Sequence, residues 1–145
     1  LGTHDGANVE IAQRVGPDNV YLFGLTAPEI EQLHRSGGYD PRRIYAGSPV
    51  AASVVAALAS SRFCPGEPGL FRPLVERLID HGDPYLNLAD LDAYLAARDR
   101  VFRDFLDRRA WARRAILNVV CTAHFSSDRA VREYATNVWS IEPLR

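Results

Sequence analysis

The sequence predicts an α/β fold: two short parallel strands with helices over residues 1–38, then a mostly α-helical tail over residues 39–145. Three observations predict it. Turn residues at Asp5–Asn8 run directly into apolar residues at helical spacing. Val20–Phe23 is a short continuous apolar run, as in a parallel strand covered on both faces. After Gly38 the apolar residues recur almost throughout with a helical period.

In chain order, Leu1–Thr3 reads as the tail of a strand, and Asp5-Gly6-Ala7-Asn8 as a turn. In that turn Gly6 is free to take a positive φ and Asn8 is a good helix N-cap. Val9, Ile11, Ala12 and Val15 fall on one face of a short helix that Gly16-Pro17 stops. Val20–Phe23 forms the second strand and Gly24 ends it. Thr26 with Glu29 three residues on makes a capping box, Ile30 and Leu33 form the inner face, and Gly37-Gly38 closes the helix. Strand, helix, strand, helix is a piece of a doubly wound sheet. Two strands do not make a stable sheet of their own, so the missing strands are expected before Leu1.

The remainder reads as helices, apart from a short extended piece allowed at Tyr85–Leu88. Asp40-Pro41 and Ser48-Pro49 each pair an N-cap with proline at the first helical position. Val50–Ser61 is Ala/Val-rich and expected to be buried on most sides, and Cys64–Gly69 is a loop. Phe71, Leu74, Val75, Leu78 and Ile79 define an amphipathic helix ending near Gly82. Asp90 is expected to cap a helix lined by Leu91, Tyr94, Leu95, Phe102, Phe105 and Leu106. Arg98 falls on that stripe, its stem packing and its head finding an acid. Trp111, Ala115, Ile116, Val119 and Val120 line the next helix; Ser126-Ser127-Asp128 caps the last, with Val131, Tyr134, Ala135 and Val138 inward.

Composition excludes several functions. Apolar residues are 47% and charged residues 24% of the chain, which rules out disorder. The longest apolar run is far short of a bilayer span, and no signal-peptide pattern opens the sequence. A net charge of −1 argues against a nucleic-acid partner. Cys64 and Cys121 have no metal-ligand spacing and read as reduced thiols of a cytoplasmic protein. Methionine is absent, as expected of a piece of something longer. All 17 members of the Lys+Arg count are arginine, so no side chain can form a Schiff base.

Three constellations have bland readings. His4-Asp5 lacks further ligands at metal spacing, since His34, His81 and His124 fit no such pattern; Asp5 is a turn or cap residue beside Gly6. Arginines 98, 100, 103, 108, 109, 113 and 114 outnumber Asp99, Asp104 and Asp107 by four. Their interleaving reads as an ion-paired solvated face, with an interface or a polyanion-binding surface as the rival. Ser126–Arg129 could hold an anion at a helix start, but Asp128 already supplies negative charge and simple capping is preferred.

One stretch is far more specific. Gly2-Thr3-His4-Asp5-Gly6-Ala7-Asn8-Val9-Glu10-Ile11 resembles the G-T-x-D-G-A-N-V-E segment of the glycogen (α-glucan) phosphorylases. The resemblance continues in order through Phe23-Gly24, Gly38–Pro41, Pro65–Leu74, Asp83-Pro84-Tyr85 and Ala89-Asp90. It ends with Trp111-x-Arg113, Ile116-x-Asn118, Phe125–Arg129, Glu133-Tyr134-Ala135, Trp139 and Ile141-Glu142-Pro143. His4 replaces a usually apolar residue, Arg62 an aromatic, Cys64 a serine, and Ala123-His124 a Gly-Lys pair.

The resemblance implies the C-terminal part of a GT-B Rossmann-like domain. Its parent would be a pyridoxal 5′-phosphate-dependent hexosyltransferase, moving glucosyl from the non-reducing end of an α-1,4-glucan to phosphate to give glucose 1-phosphate. The cofactor lysine is expected upstream of Leu1, so this chain binds no cofactor covalently, holds no catalytic residue or metal, and is inactive alone. The remaining partners are the N-terminal remainder of the phosphorylase, the glucan and phosphate, with a homo-oligomeric parent, no nucleic acid and no membrane. Asp5, Gly6, Ala7 and Asn8 are the cleft-lining positions, because ligands of open α/β sheets lie at the carboxyl ends of strands. Two rival readings remain: a non-catalytic helical interaction module, and a polyanion-binding protein using the Arg98–Arg114 face.

Overall fold

A computed structural model describes residues 1–141. Glu142 and Pro143, the end of the resembling stretch, lie outside the described residues. The element order is β1 (Gly2–Thr3), α1 (Gly6–Val15), a 3₁₀ turn (Pro17–Asn19), β2 (Leu22–Phe23) and α2 (Ala27–Ser36). Then come α3 (Pro41–Gly47), α4 (Pro49–Ala59), α5 (Arg72–Ile79), α6 (Asn87–Phe105), α7 (Arg108–Thr122), a 3₁₀ turn (Ala123–Phe125) and α8 (Ser127–Asn137). β1 and β2 pair in parallel, Gly2 with Leu22 and Thr3 with Phe23, with α1 as the crossover. The expected two-strand opening and helical tail are both present.

Packing follows the chain in two groups. α1 lies on α7, and α6 bridges β2 to α3 and α7; α3, α4 and α5 pack on one another. The buried apolar side chains are Ala12 and Val15 of α1, Ala51 and Val55 of α4, and Leu86, Leu88 and Ala97 around α6.

Most caps are as read. The Asp40 and Ser48 side chains accept from the backbone N–H groups of Arg42 and Ala51, with proline next in each helix. Ser126 accepts from the Arg129 N–H, so the start of α8 is a capped terminus. Thr26 donates its backbone and hydroxyl hydrogens to the Glu29 carboxylate at 2.7 and 2.6 Å. Gly37 closes α2 in the left-handed region, φ 60°.

Several expectations are corrected. α1 is capped by Asp5 rather than Asn8, and Gly6 has no positive φ; it is the first helical residue. Asp90 does not cap α6, which begins at Asn87, and Tyr85–Leu88 is a turn and helix start rather than extended chain. α5 ends at Ile79, short of Gly82. In α4 only Ala51 and Val55 are buried, while Val50 and Val54 are exposed. Ile116, Val119 and Val120 of α7, Val131 and Tyr134 of α8, and Val138 at its C-terminal cap are exposed too. Helical spacing identifies the water-avoiding face; among the described residues nothing covers these two.

Candidate functional site

The β1–α1 connection is built by one carboxylate. Asp5 accepts from the Asn8 backbone N–H at 2.8 Å, the Asn8 side-chain amide at 2.7 Å and the Thr3 hydroxyl at 3.0 Å. These donors, the Asn8 backbone N–H foremost, hold the Asp5 carboxyl below its ordinary range. Gly2 is required by the same knot: a Cβ there would lie 2.6 Å from Asn8 Nδ2. Asp5, Gly6 and Ala7 are exposed and Asn8 half-buried, at the carboxyl end of β1. Asp5, being wholly engaged by its own loop, sets the shape of this edge and is not a free base.

The β2–α2 connection lies beside it. Gly24 has φ 84°, and Asp90 of α6 comes so close that a Cβ would sit 2.6 Å from its Cγ. Asp90 accepts from the Leu25 N–H at 2.8 Å, joining α6 to the end of β2. Glu29 is held below its ordinary range chiefly by the Thr26 hydroxyl, with a small contribution from nearby His4. Sequence spacing puts Asp5–Asn8 in one turn but gives no sign that Asp90, 65 residues after Leu25, bonds to the end of β2.

Two further polar clusters position the helical tail. Asp83 is fully buried and accepts from the Tyr39 hydroxyl at 2.6 Å, the Leu88 N–H at 2.7 Å and the Asn87 amide at 2.9 Å. Burial, then the hydrogen bond to Asp83, pushes the Tyr39 phenol well above its ordinary value. On the other side, Asp104 accepts from the Tyr21 hydroxyl and from Arg114, both at 2.7 Å. Those bonds, Tyr21 first, lower the Asp104 carboxyl. Arg98 pairs with Asp99 and lies over the Phe102 ring, and Arg108 lies over Phe105 at 3.8 Å. Part of the arginine excess is therefore spoken for by acids and rings. The Arg14 guanidinium donates to His124 Nε2 at 2.7 Å, tying α1 to the turn before α8.

Among the described residues no group of three His, Cys, Asp or Glu could hold a metal ion. No helix among them is long and apolar enough to cross a membrane.

The family model for carbohydrate phosphorylases matches residues 1–141. This chain belongs to the carbohydrate phosphorylase family. It is 44% identical over 144 residues to a glycogen phosphorylase of Synechocystis, covering 99% of this chain and 17% of that protein. The Bacillus subtilis glycogen phosphorylase is 40% identical over 144 residues, 99% of this chain and 18% of its own length. The brain form from Homo sapiens is 37% identical over 143 residues, again 99% of this chain and 17% of its own length. The chain thus spans about one sixth of the curated phosphorylases it matches. The Asp5–Asn8 turn and the contact between Leu25 and Asp90 lie at the carboxyl ends of β1 and β2.

Proposed function

We propose that this chain is the C-terminal part of an α-glucan phosphorylase of the GT-B type. Residues 1–38 are the last βαβα units of its second Rossmann-like domain, and residues 39–145 the helical region packed on them. The parent transfers glucosyl from the non-reducing end of an α-1,4-glucan to orthophosphate, releasing glucose 1-phosphate. The observation that carries this reading is the family match along residues 1–141, joined to the Asp5–Asn8 turn at the carboxyl end of a parallel strand.

Asp5, Gly6, Ala7 and Asn8 line the cleft and act by position. Asp5 fixes the turn, and Gly6 and Ala7 present backbone without bulk. Pyridoxal 5′-phosphate is the cofactor the family resemblance implies for the parent. This chain's residues do not fit it, since 17 arginines and no lysine offer no imine-forming side chain. The partner of the chain is the preceding part of the phosphorylase, in a cytoplasmic homo-oligomer. The exposed apolar faces of α7 and α8 favour, as a second reading, a helical interaction module without activity of its own.

The test is phosphorolysis. The isolated chain, given starch and inorganic phosphate, is expected to release no glucose 1-phosphate. Substituted for the matching segment of the Bacillus subtilis glycogen phosphorylase, it is expected to support release. Turnover by the isolated chain, or a folded chimera without turnover, would overturn the reading.

A further inference from the structure

We propose that the Asp83–Leu86 turn holds Tyr85 out as a stacking platform for a neutral α-glucan chain, flanked by Asp90 on one side and Arg77 on the other. This rests on the α-glucan reading above and adds a binding site to it. Within four residues the turn carries two non-glycine residues at positive φ, Asp83 at 45° and Leu86 at 56°. Such backbone is strained for L side chains and persists only where its surroundings hold it. Here a fully buried carboxylate does so, through the Tyr39 hydroxyl and the Leu88 N–H, while Leu86 is buried alongside. The residue between these anchors is left 73% exposed. The strain therefore serves to aim Tyr85 into solvent and not to bury it.

Tyr85 separates two hollows. One, of about 260 Å³, opens at the carboxyl ends of both strands and is walled by Thr3, Phe23, Asp90 and Tyr94. The other, of about 360 Å³, lies over Leu58, Leu74 and Leu78, and the Arg77 guanidinium lies over one face of the Tyr85 ring, 5.5 Å from its centroid. Aromatic and aliphatic walls, one cation and one carboxylate suit a ligand with apolar faces and a hydroxyl rim. That is the chemistry of a sugar. Arg77 covers one face of the ring and leaves the other for stacking, and hollows on either side of the residue suit consecutive units of a chain over a monosaccharide. Asp90 accepts one bond, from the Leu25 N–H, and retains acceptor capacity for a hydroxyl; Arg77 supplies donors.

The test uses the 145-residue chain with maltoheptaose as the probe, followed by backbone amide shifts in NMR titration. Saturable shifts are expected around residues 22–25 and 77–94. Tyr85→Ala is expected to weaken binding about tenfold, or about 1.4 kcal/mol. Tyr85→Phe keeps the ring and is expected to bind within about twofold of wild type. Tyr45→Ala, an exposed tyrosine on α3, is the control and should bind like wild type. Absence of saturable shifts, shifts centred elsewhere, or Tyr85→Ala binding as well as wild type would overturn the proposal. Phosphorolysis by the chimera without maltoheptaose binding at Tyr85 would sink this site alone. Binding at Tyr85 in a chimera that folds but does not turn over would sink the phosphorolytic reading alone.

Discussion

Replacing Asp83 by alanine should cost more stability than any other single change in the helical region. The carboxylate has no exposed surface and accepts from three donors at 2.6, 2.7 and 2.9 Å. Asn87 is exposed and can turn its amide to water. The Leu88 N–H is buried and the Tyr39 hydroxyl half-buried, so neither regains full hydration. Hydrogen bonds to a charged acceptor contribute about 1.5–3 kcal/mol each, which puts two of them at about 3–6 kcal/mol. Alanine also tolerates a φ of 45° less well than aspartate does. Against a typical total of about 5–15 kcal/mol, a loss of that size leaves a marginal fold. In urea titration the midpoint should fall by more than about 1 M at constant slope. Tyr39→Phe removes one donor and leaves Leu88 satisfied, so it should cost about 1–2 kcal/mol. Its effect should largely vanish in the Asp83→Ala background. An Asp83→Ala protein within about 1 kcal/mol of wild type, or additive effects of the two substitutions, would refute the reasoning.

Three other outcomes are expected. Gly24→Ala places a methyl against Asp90 at φ 84°, and should cost about 2 kcal/mol or more by differential scanning calorimetry while deprotecting the Leu25 amide in hydrogen exchange. Asp5, Glu29 and Asp104 are all lowered in the folded state, so their support is complete above the unfolded carboxyl range of about 4 and is lost as pH falls through their folded values. Asp104→Asn should flatten the acid limb of a urea-midpoint profile and leave the plateau above about pH 5 unsteepened. Tyr39 is raised, so its support is complete below about pH 10 and is lost as pH rises towards its folded value; Tyr39→Phe should remove that part of the alkaline loss, and the share of phenolate absorbance that Tyr39→Phe takes away should appear in wild type only on unfolding.

What the sequence made legible was whatever a single turn of chain decides. Asp40-Pro41, Ser48-Pro49 and Thr26 with Glu29 cap helices where they were read, because an N-cap bonds to amides two or three residues away. Asp90 has the same chemistry and was read the same way, yet it binds the Leu25 N–H. It sits inside α6, facing the end of β2, where an amide without a strand partner needs an acceptor. Asp83 could not be foreseen either, since nothing local distinguishes a carboxylate that meets Tyr39 from 44 residues away. The residues at the strand ends divide along the same line. Asp5–Asn8 is legible at a strand's carboxyl end from its own turn residues, whereas Asp90 reaches the end of β2 only through the packing of α6. The exposed faces of α7 and α8 mark the limit of periodicity: Ile116, Val119 and Val120 share a side of one helix, and what shields that side is set by residues beyond it. In a family whose members run to about six times this length, that shield is expected to be another part of the longer protein, and hydrogen exchange over 116–138 in the chimera against the isolated protein is the measurement that decides it. Equal exchange rates in the two would mean those faces stay bare in the assembled enzyme.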